Sequence, residues 1–362
     1  MNNESEVNVD ITVKQGDFCQ AIKKVKNACA KNSSNPILKN LKLEAKDNKL
    51  TLTATRIDCT FISSIDANIV VDGVTYVDAN KLDEIISKLD GEIKLYREDN
   101  CLEIKSGKSK FKIVSINNEV FPKGAMFPYE ANMTIDFKEL KKGIKSTIFS
   151  CSNLANNILN GVCFNFAENK LKLCAIDGNS RMACCEILCN CDFAKEMVVP
   201  CFTLSELIKN DYEEMTIGLA KNKIKFESES DTFETVVLSG KFPSYEAVIP
   251  KDNDKIATIG REKLLKAIEK VTVLVDNEKN RLSMAFNEND VELTCINQNG
   301  VANDNIEIEY QGEKFIVAFN YKYITEALKN SEVENIQIKV GNPEMPILFD
   351  LGFTGVIAPL KI

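Results

Sequence analysis

The sequence predicts an α+β protein made of three tandem copies of one domain, each with two helices and roughly eight strands. Three observations carry that expectation. A short alternating strand running into an amphipathic helix occurs three times, as DITVKQGDFCQAIKKV from Asp10, MTIDFKELKKGIKSTI from Met133 and ATIGREKLLKAIEKV from Ala257. Further elements follow each in one order and nearly one register, Met133 to Ala257 being 124 residues. A Phe-Pro pair closes the first two copies, at Phe121-Pro122 and 121 residues later at Phe242-Pro243. Periods near 120 are whole domains, too long for stacked solenoid repeats of about 20 to 50 residues. A chain of 362 residues is also too long for one ordinary core and suits two or three.

After the first strand and helix comes a hairpin of two alternating runs, in LKLEAKDNKLTLTATRID, VCFNFAENKLKLCAIDG and LSMAFNENDVELTCINQ. Its turns are rich in Asp, Asn and Glu, and Leu50, Leu171 and Val291 head the second strands. A strand entering a second helix is next, in VTYVDANKLDEIISKL, MVVPCFTLSELIKN and FIVAFNYKYITEALKN. A closing pair of strands completes the copy, as in GEIKLYREDNCLEIKSGKSKFKIVSI and EEMTIGLAKNKIKFESESDTFETVVL. The third copy ends with the chain, at TGVIAPLKI. This places the domains at 1–128, 129–252 and 253–362.

On a wheel of 100° per residue the first helix of each copy has two distinct faces. Phe18, Ile22, Val25 and Cys29 form an inner stripe opposite Lys23, Lys24 and Lys31. The second copy buries Phe137, Leu140 and Ile144 and turns Lys138, Lys142 and Lys145 outward. The third buries Leu264, Ile268 and Val271, with Lys263, Lys266 and Lys270 outside. A lysine face on one helix is ordinarily just solvated surface. An acidic chain, net charge −8, that repeats it three times points instead to phosphate contact. Aromatics and arginine forks are not interleaved with these lysines, so neither base reading nor stacking is expected.

Several chemistries are excluded or weak. With 44% hydrophobic and 27% charged residues the chain is an ordinary folded protein. Its polar start, MNNESEVNVD, and the absence of an apolar run of membrane-spanning length read as a cytoplasmic chain that meets no membrane. Thirteen scattered cysteines suit reduced, buried thiols rather than a disulfide framework. There is no histidine, which removes histidine triads and histidine metal sites. SGKS at Ser106–Ser109 lacks the upstream glycine of a phosphate-binding loop, since Leu102 stands there. CCEILCNC, Cys184 to Cys191, is the one thiol cluster, but its spacing and its apolar, strand-like setting argue against a metal site. A cysteine-dependent enzyme lacks a base to activate the thiol; a three-domain scaffold that never meets nucleic acid is the third possibility, separated by retention on circular but not linear DNA. No catalytic residue, metal or cofactor is expected.

From about Val7 to Ile362 the chain resembles the β subunit of bacterial DNA polymerase III, the sliding clamp family. The stretches that carry the likeness are NPILKNLKLEA, NILNGVCFNF, CAIDGNSRMA, GKFPSYEAVIP, AFNYKYITEAL and VIAPLKI. The resemblance implies the DNA clamp fold: two chains close head to tail into a six-domain ring with helices inside and sheets outside. The ring would hold double-stranded DNA without sequence preference and catalyse nothing. The DNA polymerase III catalytic subunit, the clamp loader and repair proteins would dock through short peptides. Their cleft would lie between the second and third domains. One wall would be Leu159, Ile176, Gly178, Arg181, Met182, Pro243 and Val248. Asn320, Tyr323, Val356, Ala358, Pro359 and Leu360 would close it.

Closure would pack Phe111 and Ile113 on Val273 and Leu274 of the partner, with Lys108 and Lys110 seeking acids such as Asp304 and Glu307. The sequence also departs from the family pattern. DGNSRM is one residue longer than Asp-Gly-x-Arg-Leu, Ala358 replaces a larger apolar residue and Ala247 a basic one. A polar N-terminal extension is expected to be disordered.

Overall fold

The computed structural model describes residues 7–30, 35–116, 121–122, 126–154, 157–178, 180–274, 280–298, 300–310 and 312–361. The N-terminal extension 1–6 and Lys31 lie outside the described residues. Six α-helices are described: α1 (Gln15–Val25), α2 (Ala79–Ile86), α3 (Phe137–Ile148), α4 (Cys201–Leu207), α5 (Arg261–Val271) and α6 (Tyr321–Lys329). Two fall in each repeat. None is long and apolar enough to cross a membrane.

The odd-numbered helices bury the stripes that their periodicity predicts. Phe18, Ile22 and Val25 are buried in α1, Phe137, Leu140 and Ile144 in α3, and Leu264, Ile268 and Val271 in α5. Two of the even-numbered helices start on side-chain caps. Asp78 Oδ1 accepts from the amides of Asn80 and Lys81 at 3.0 and 2.9 Å, and Asn320 Oδ1 from that of Lys322 at 3.1 Å.

The triplication is visible in single hydrogen bonds. The first amide of α1 donates to Gly91 O at 2.9 Å, that of α3 to Glu213 O at 3.0 Å and that of α5 to Glu334 O at 2.9 Å. Ala30 N donates to Leu38 O, and 121 residues further on from Leu38 the carbonyl of Leu159 accepts from Ser152 N, both at 2.8 Å. The hairpin turns Asp47-Asn48 and Glu168-Asn169 share φ values of 53° and 59°, the left-handed pair of a two-residue turn.

Two features exceed the expected elements. Each hairpin continues into a third antiparallel strand, Cys59–Asp66, Arg181–Leu188 or Gly300–Glu307. The closing pair is also a closing triplet, its last member being Ser109–Ile116, Asp231–Val236 or Thr354–Ile357. These extra strands join the repeats into larger sheets. Asp231–Val236 of the second repeat pairs with Cys59–Asp66 of the first, within a 13-stranded sheet. Thr354–Ile357 of the third pairs with Arg181–Leu188 of the second, within a 9-stranded sheet.

The chain accordingly forms two compact units that divide the middle repeat. One comprises residues 1–137 with 209–237, the other 138–208 with 238–362. In the second unit α5 and α6 bury Leu264, Ile268, Ile324 and Leu328 against Phe286, Phe319 and Phe349.

Candidate functional site

The expected peptide surface lies wholly in the second unit, and its floor is a sheet face. Ile176 pairs with Met182, and Met182 with Val356, across three neighbouring antiparallel strands. The period of two puts these side chains in one row, where they pack with Cys163, Cys174, Val198 and Phe242. Leu159 packs half-buried against that cluster. A Cβ at Gly178 would stand 3.6 Å from Leu159 Cδ1, and the Gly178 φ of +118° favours glycine in any case. Pro243 and Val248 are exposed on the segment after Phe242.

Three residues connect the paired strands at Asp177 and Arg181, the amide of Asp177 donating to Arg181 O at 3.2 Å. Asp177 Oδ1 closes this turn by accepting from the amides of Ser180 at 2.9 Å and Arg181 at 3.1 Å. The extra residue is thus absorbed in the connection, and Met182 keeps its register with Ile176 and Val356. The Arg181 guanidinium is 4.6 Å from the ring centre of Tyr323 and ion-pairs with Glu326 of α6. Asp177 Oδ2 lies 3.5 Å from Arg181 Nε. Arg181 is therefore a tethered rim residue.

The segment Ala358–Leu360 is held by backbone bonds. Ala358 N donates to Ser180 O at 2.8 Å, and Leu360 N to Ala318 O at 2.6 Å, the latter an isolated antiparallel bridge. Pro359 is half-buried and Leu360 is 41% exposed. The Asn320 side chain is occupied as the α6 cap.

The repeat provides an internal control for this surface. Leu38 occupies the position of Leu159, yet it is only 2% exposed, packed with Ile37, Tyr76 and Phe121. The same backbone bond and the same Phe-Pro ending produce a closed cluster in the first copy and a partly open one in the second.

The eight of the nine lysines that are described separate into two groups. Lys23, Lys138, Lys145, Lys263 and Lys266 are exposed and have no ion-pair partner among the described residues. Lys24 is engaged: its Nζ is 2.6 Å from Asp231 Oδ2, and that buried carboxylate also accepts from Ser63 Oγ at 2.5 Å and Tyr212 OH at 2.8 Å. Burial and the Asp231 charge push the Tyr212 hydroxyl up. Lys142 pairs with Glu332 at 3.2 Å and Lys270 with Asp304 at 2.9 Å, both on the surface.

Residues 109–114 have a strand neighbour on one side, Cys101–Ser106; Gly73–Asp78 joins only at Ser115 and Ile116. Phe111 is 37% exposed there and Ile113 is half-buried. Gly300–Glu307 is likewise an outer strand, with Asp290–Asn297 as its one neighbour among the described residues. Beside it Val273 is 80% exposed and Leu274 half-buried. Lys108 is exposed, but Lys110 is already bound to Glu103 at 2.8 Å. Lys105 and Lys110 hold the Glu103 carboxyl down to about 2. Asp304 is likewise taken by Lys270, so of the four residues expected to pair across the seam Lys108 and Glu307 are those with no ion-pair partner among the described residues.

Three sequence families match in chain order. They are the DNA polymerase III beta subunit N-terminal domain over residues 9–125, its central domain over 134–244 and its C-terminal domain over 246–351. The chain belongs to the DNA polymerase III beta subunit family. The beta sliding clamp of Caulobacter vibrioides is 27% identical over 371 residues, covering 97% of this chain and 100% of the relative. That of Vibrio cholerae is 24% identical over 349 residues, covering 94% and 95%. The solved Caulobacter crescentus clamp superposes with a TM-score of 0.90 at 27% identity, over 98% of this chain and 100% of that one. The Pseudomonas aeruginosa clamp, solved bound to griselimycin, reaches 0.92 at 22% identity over the same shares, a likeness of fold. The fold is thus three tandem clamp domains, and the family is one of non-catalytic replication subunits.

Sequence reasoning misses Ile158, Leu238, Tyr245, Ile249 and Leu348, which pack around the same cluster. Tyr245 and Ile249 lie in GKFPSYEAVIP, where an apolar residue every few positions is the available signal. Glu326 has none, because its partner Arg181 is 145 residues away. Among the described residues no group of three or more cysteines and carboxylates is arranged to hold a metal ion.

Proposed function

We propose that two copies of this chain close head to tail into a ring around duplex DNA. The ring tethers the DNA polymerase III catalytic subunit, the clamp loader and repair proteins through short peptides. It acts in the cytoplasm, and its domains are 1–128, 129–252 and 253–362. The observation that carries the reading is the rule by which repeats join. The third hairpin strand of one repeat pairs with the last strand of the next, Cys59–Asp66 with Asp231–Val236 and Arg181–Leu188 with Thr354–Ile357. By that rule Gly300–Glu307 of the third repeat requires the last strand of a following repeat. The counterpart is Ser109–Ile116 of another copy, whose edge is open over residues 109–114. Unsatisfied backbone along two strands favours pairing, and Phe111 and Ile113 against Val273 and Leu274 add an apolar core.

DNA contact falls to Lys23, Lys138, Lys145, Lys263 and Lys266, which neutralise phosphate without reading bases. Lys24, Lys142 and Lys270 are weaker candidates because each already has a carboxylate partner. Peptides dock on the surface floored by Ile176, Met182 and Val356 and edged by Leu159, Arg181, Pro243, Val248, Tyr323, Pro359 and Leu360. Half-buried aliphatic groups there receive apolar anchors, and rim polar groups hold the peptide backbone.

The solution mass tests closure. Sedimentation at micromolar concentration should give twice the chain mass of 40.4 kDa, and Phe111→Asp should give the chain mass alone. A wild-type monomer, or a dimeric Phe111→Asp, contradicts the seam.

A further inference from the structure

Eight of the thirteen cysteines lie between Cys151 and Cys201. Three of these form a row across adjacent strands, since Cys163 pairs with Cys174 and Cys174 with Cys184. They share the sheet face of Ile176, Met182 and Val356, and Phe242 and Tyr245 pack against it. The sulfur atoms of Cys174 and Cys184 are 2.7 Å apart. Their access differs. Cys163 and Cys174 are buried, whereas Cys184 is half-buried and lines an open cavity of about 360 Å³ with Glu186, Lys339, Leu348, Asp350 and Thr354.

We propose that Cys174 and Cys184 are an oxidisable pair, which a hydroperoxide converts into a disulfide joining Lys170–Ile176 to Arg181–Leu188. Oxidation starts at Cys184, the half-buried member of the pair. The Cys184 sulfur attacks a peroxide oxygen, the O–O bond breaks, and a sulfenic acid and one water result from hydrogen peroxide. The Cys174 sulfur then attacks that sulfur; the S–O bond breaks, the S–S bond forms, and hydroxide leaves with the Cys174 proton as a second water. Two thiols together lose two electrons and two protons, and one peroxide becomes two waters.

Burial favours this order, because it pushes the Cys174 thiol up and the Cys163 thiol to about 12, keeping both protonated and slow towards peroxide. Directly opposed residues of antiparallel strands fall within the Cα separation a disulfide spans. Cys189 and Cys191, with sulfurs 3.7 Å apart, are separated by one residue and would close a small strained ring. The crosslink lies two residues from Ile176 and Met182, so oxidation stiffens the floor of the peptide surface. That consequence rests on the peptide reading; the disulfide itself does not.

The test treats the full chain with hydrogen peroxide, blocks remaining thiols with N-ethylmaleimide and maps the unreduced digest by mass. The expected result is a Cys174–Cys184 linked peptide that appears before any other linkage and is reversed by dithiothreitol. An apparent melting midpoint about 5 °C higher should accompany it. Cys184→Ser should abolish the linkage and the shift, and Cys163→Ser should keep both. Wild-type protein that accumulates Cys184 sulfinic acid, or links other cysteines first, overturns the proposal without bearing on peptide binding.

Discussion

Ile57 is a β-branched residue held at φ +82° with 79% of its surface exposed. The corresponding hairpin position in the second repeat is Gly178, at φ +118°. The strain costs about 1–3 kcal/mol, and so exposed a side chain returns little of it through burial. Ile57→Gly should stabilise the protein by about 1 kcal/mol, after the greater freedom of glycine in the unfolded chain offsets part of the relief. Urea unfolding measures this, and a drop in stability would mean that Ile57 makes an interaction worth more than its strain. Neighbouring lysines differ as sharply. Lys24→Met should cost about 2 kcal/mol, because it leaves the buried Asp231 charge without its cation. It should leave the salt dependence of DNA binding unchanged. Replacing Lys23, Lys138 and Lys266 together with Gln should do the reverse, lowering the log-log salt slope by about 0.9 for each phosphate no longer neutralised. An unchanged slope would make those three merely solvated surface. The helix wheel puts Lys23 and Lys24 on one face. What divides them is a carboxylate 207 residues away, which periodicity cannot reveal.

The elements that join repeats are the hardest to read. Thr-Arg-Ile-Asp reads as the end of a hairpin, yet Cys59–Asp66 continues as a strand because Asp231–Val236 supplies its other neighbour. Such pairing depends on residues far along the chain and leaves only a short alternating pattern locally. The first strands and the helices are legible because amphipathic periodicity is local. The terminal segment makes the same point for the site. APLKI carries no periodicity, but the backbone bonds of Ala358 and Leu360 bind it to Ser180 and Ala318, beside the proposed peptide surface. Deleting Pro359–Ile362 removes the Leu360 bridge and two side chains of that surface, while the strands assigned to ring closure are untouched. The truncated protein should lose binding of a polymerase-derived peptide carrying a glutamine and downstream leucine and phenylalanine, and should keep its dimer mass. Titration by fluorescence anisotropy reads the first and sedimentation the second. Undiminished peptide binding would remove the tail from the site.

At the scale of the molecule, one strand pairing joins the first repeat to the second and the second to the third, and the proposed ring repeats it between two chains. The triplication is plain in the sequence, because whole strings of elements recur; the pairing is not, because an open edge exists only once strands are assembled. Topological enclosure of DNA is the functional claim that follows. It is tested most directly by loading the protein onto nicked circular DNA with the cognate clamp loader and ATP, isolating the complex by gel filtration, and cutting the circle once. The account predicts that protein co-elutes with the circle at moderate salt and is released when the DNA becomes linear. Equal retention on both forms, or none on the circle after loading, would contradict it.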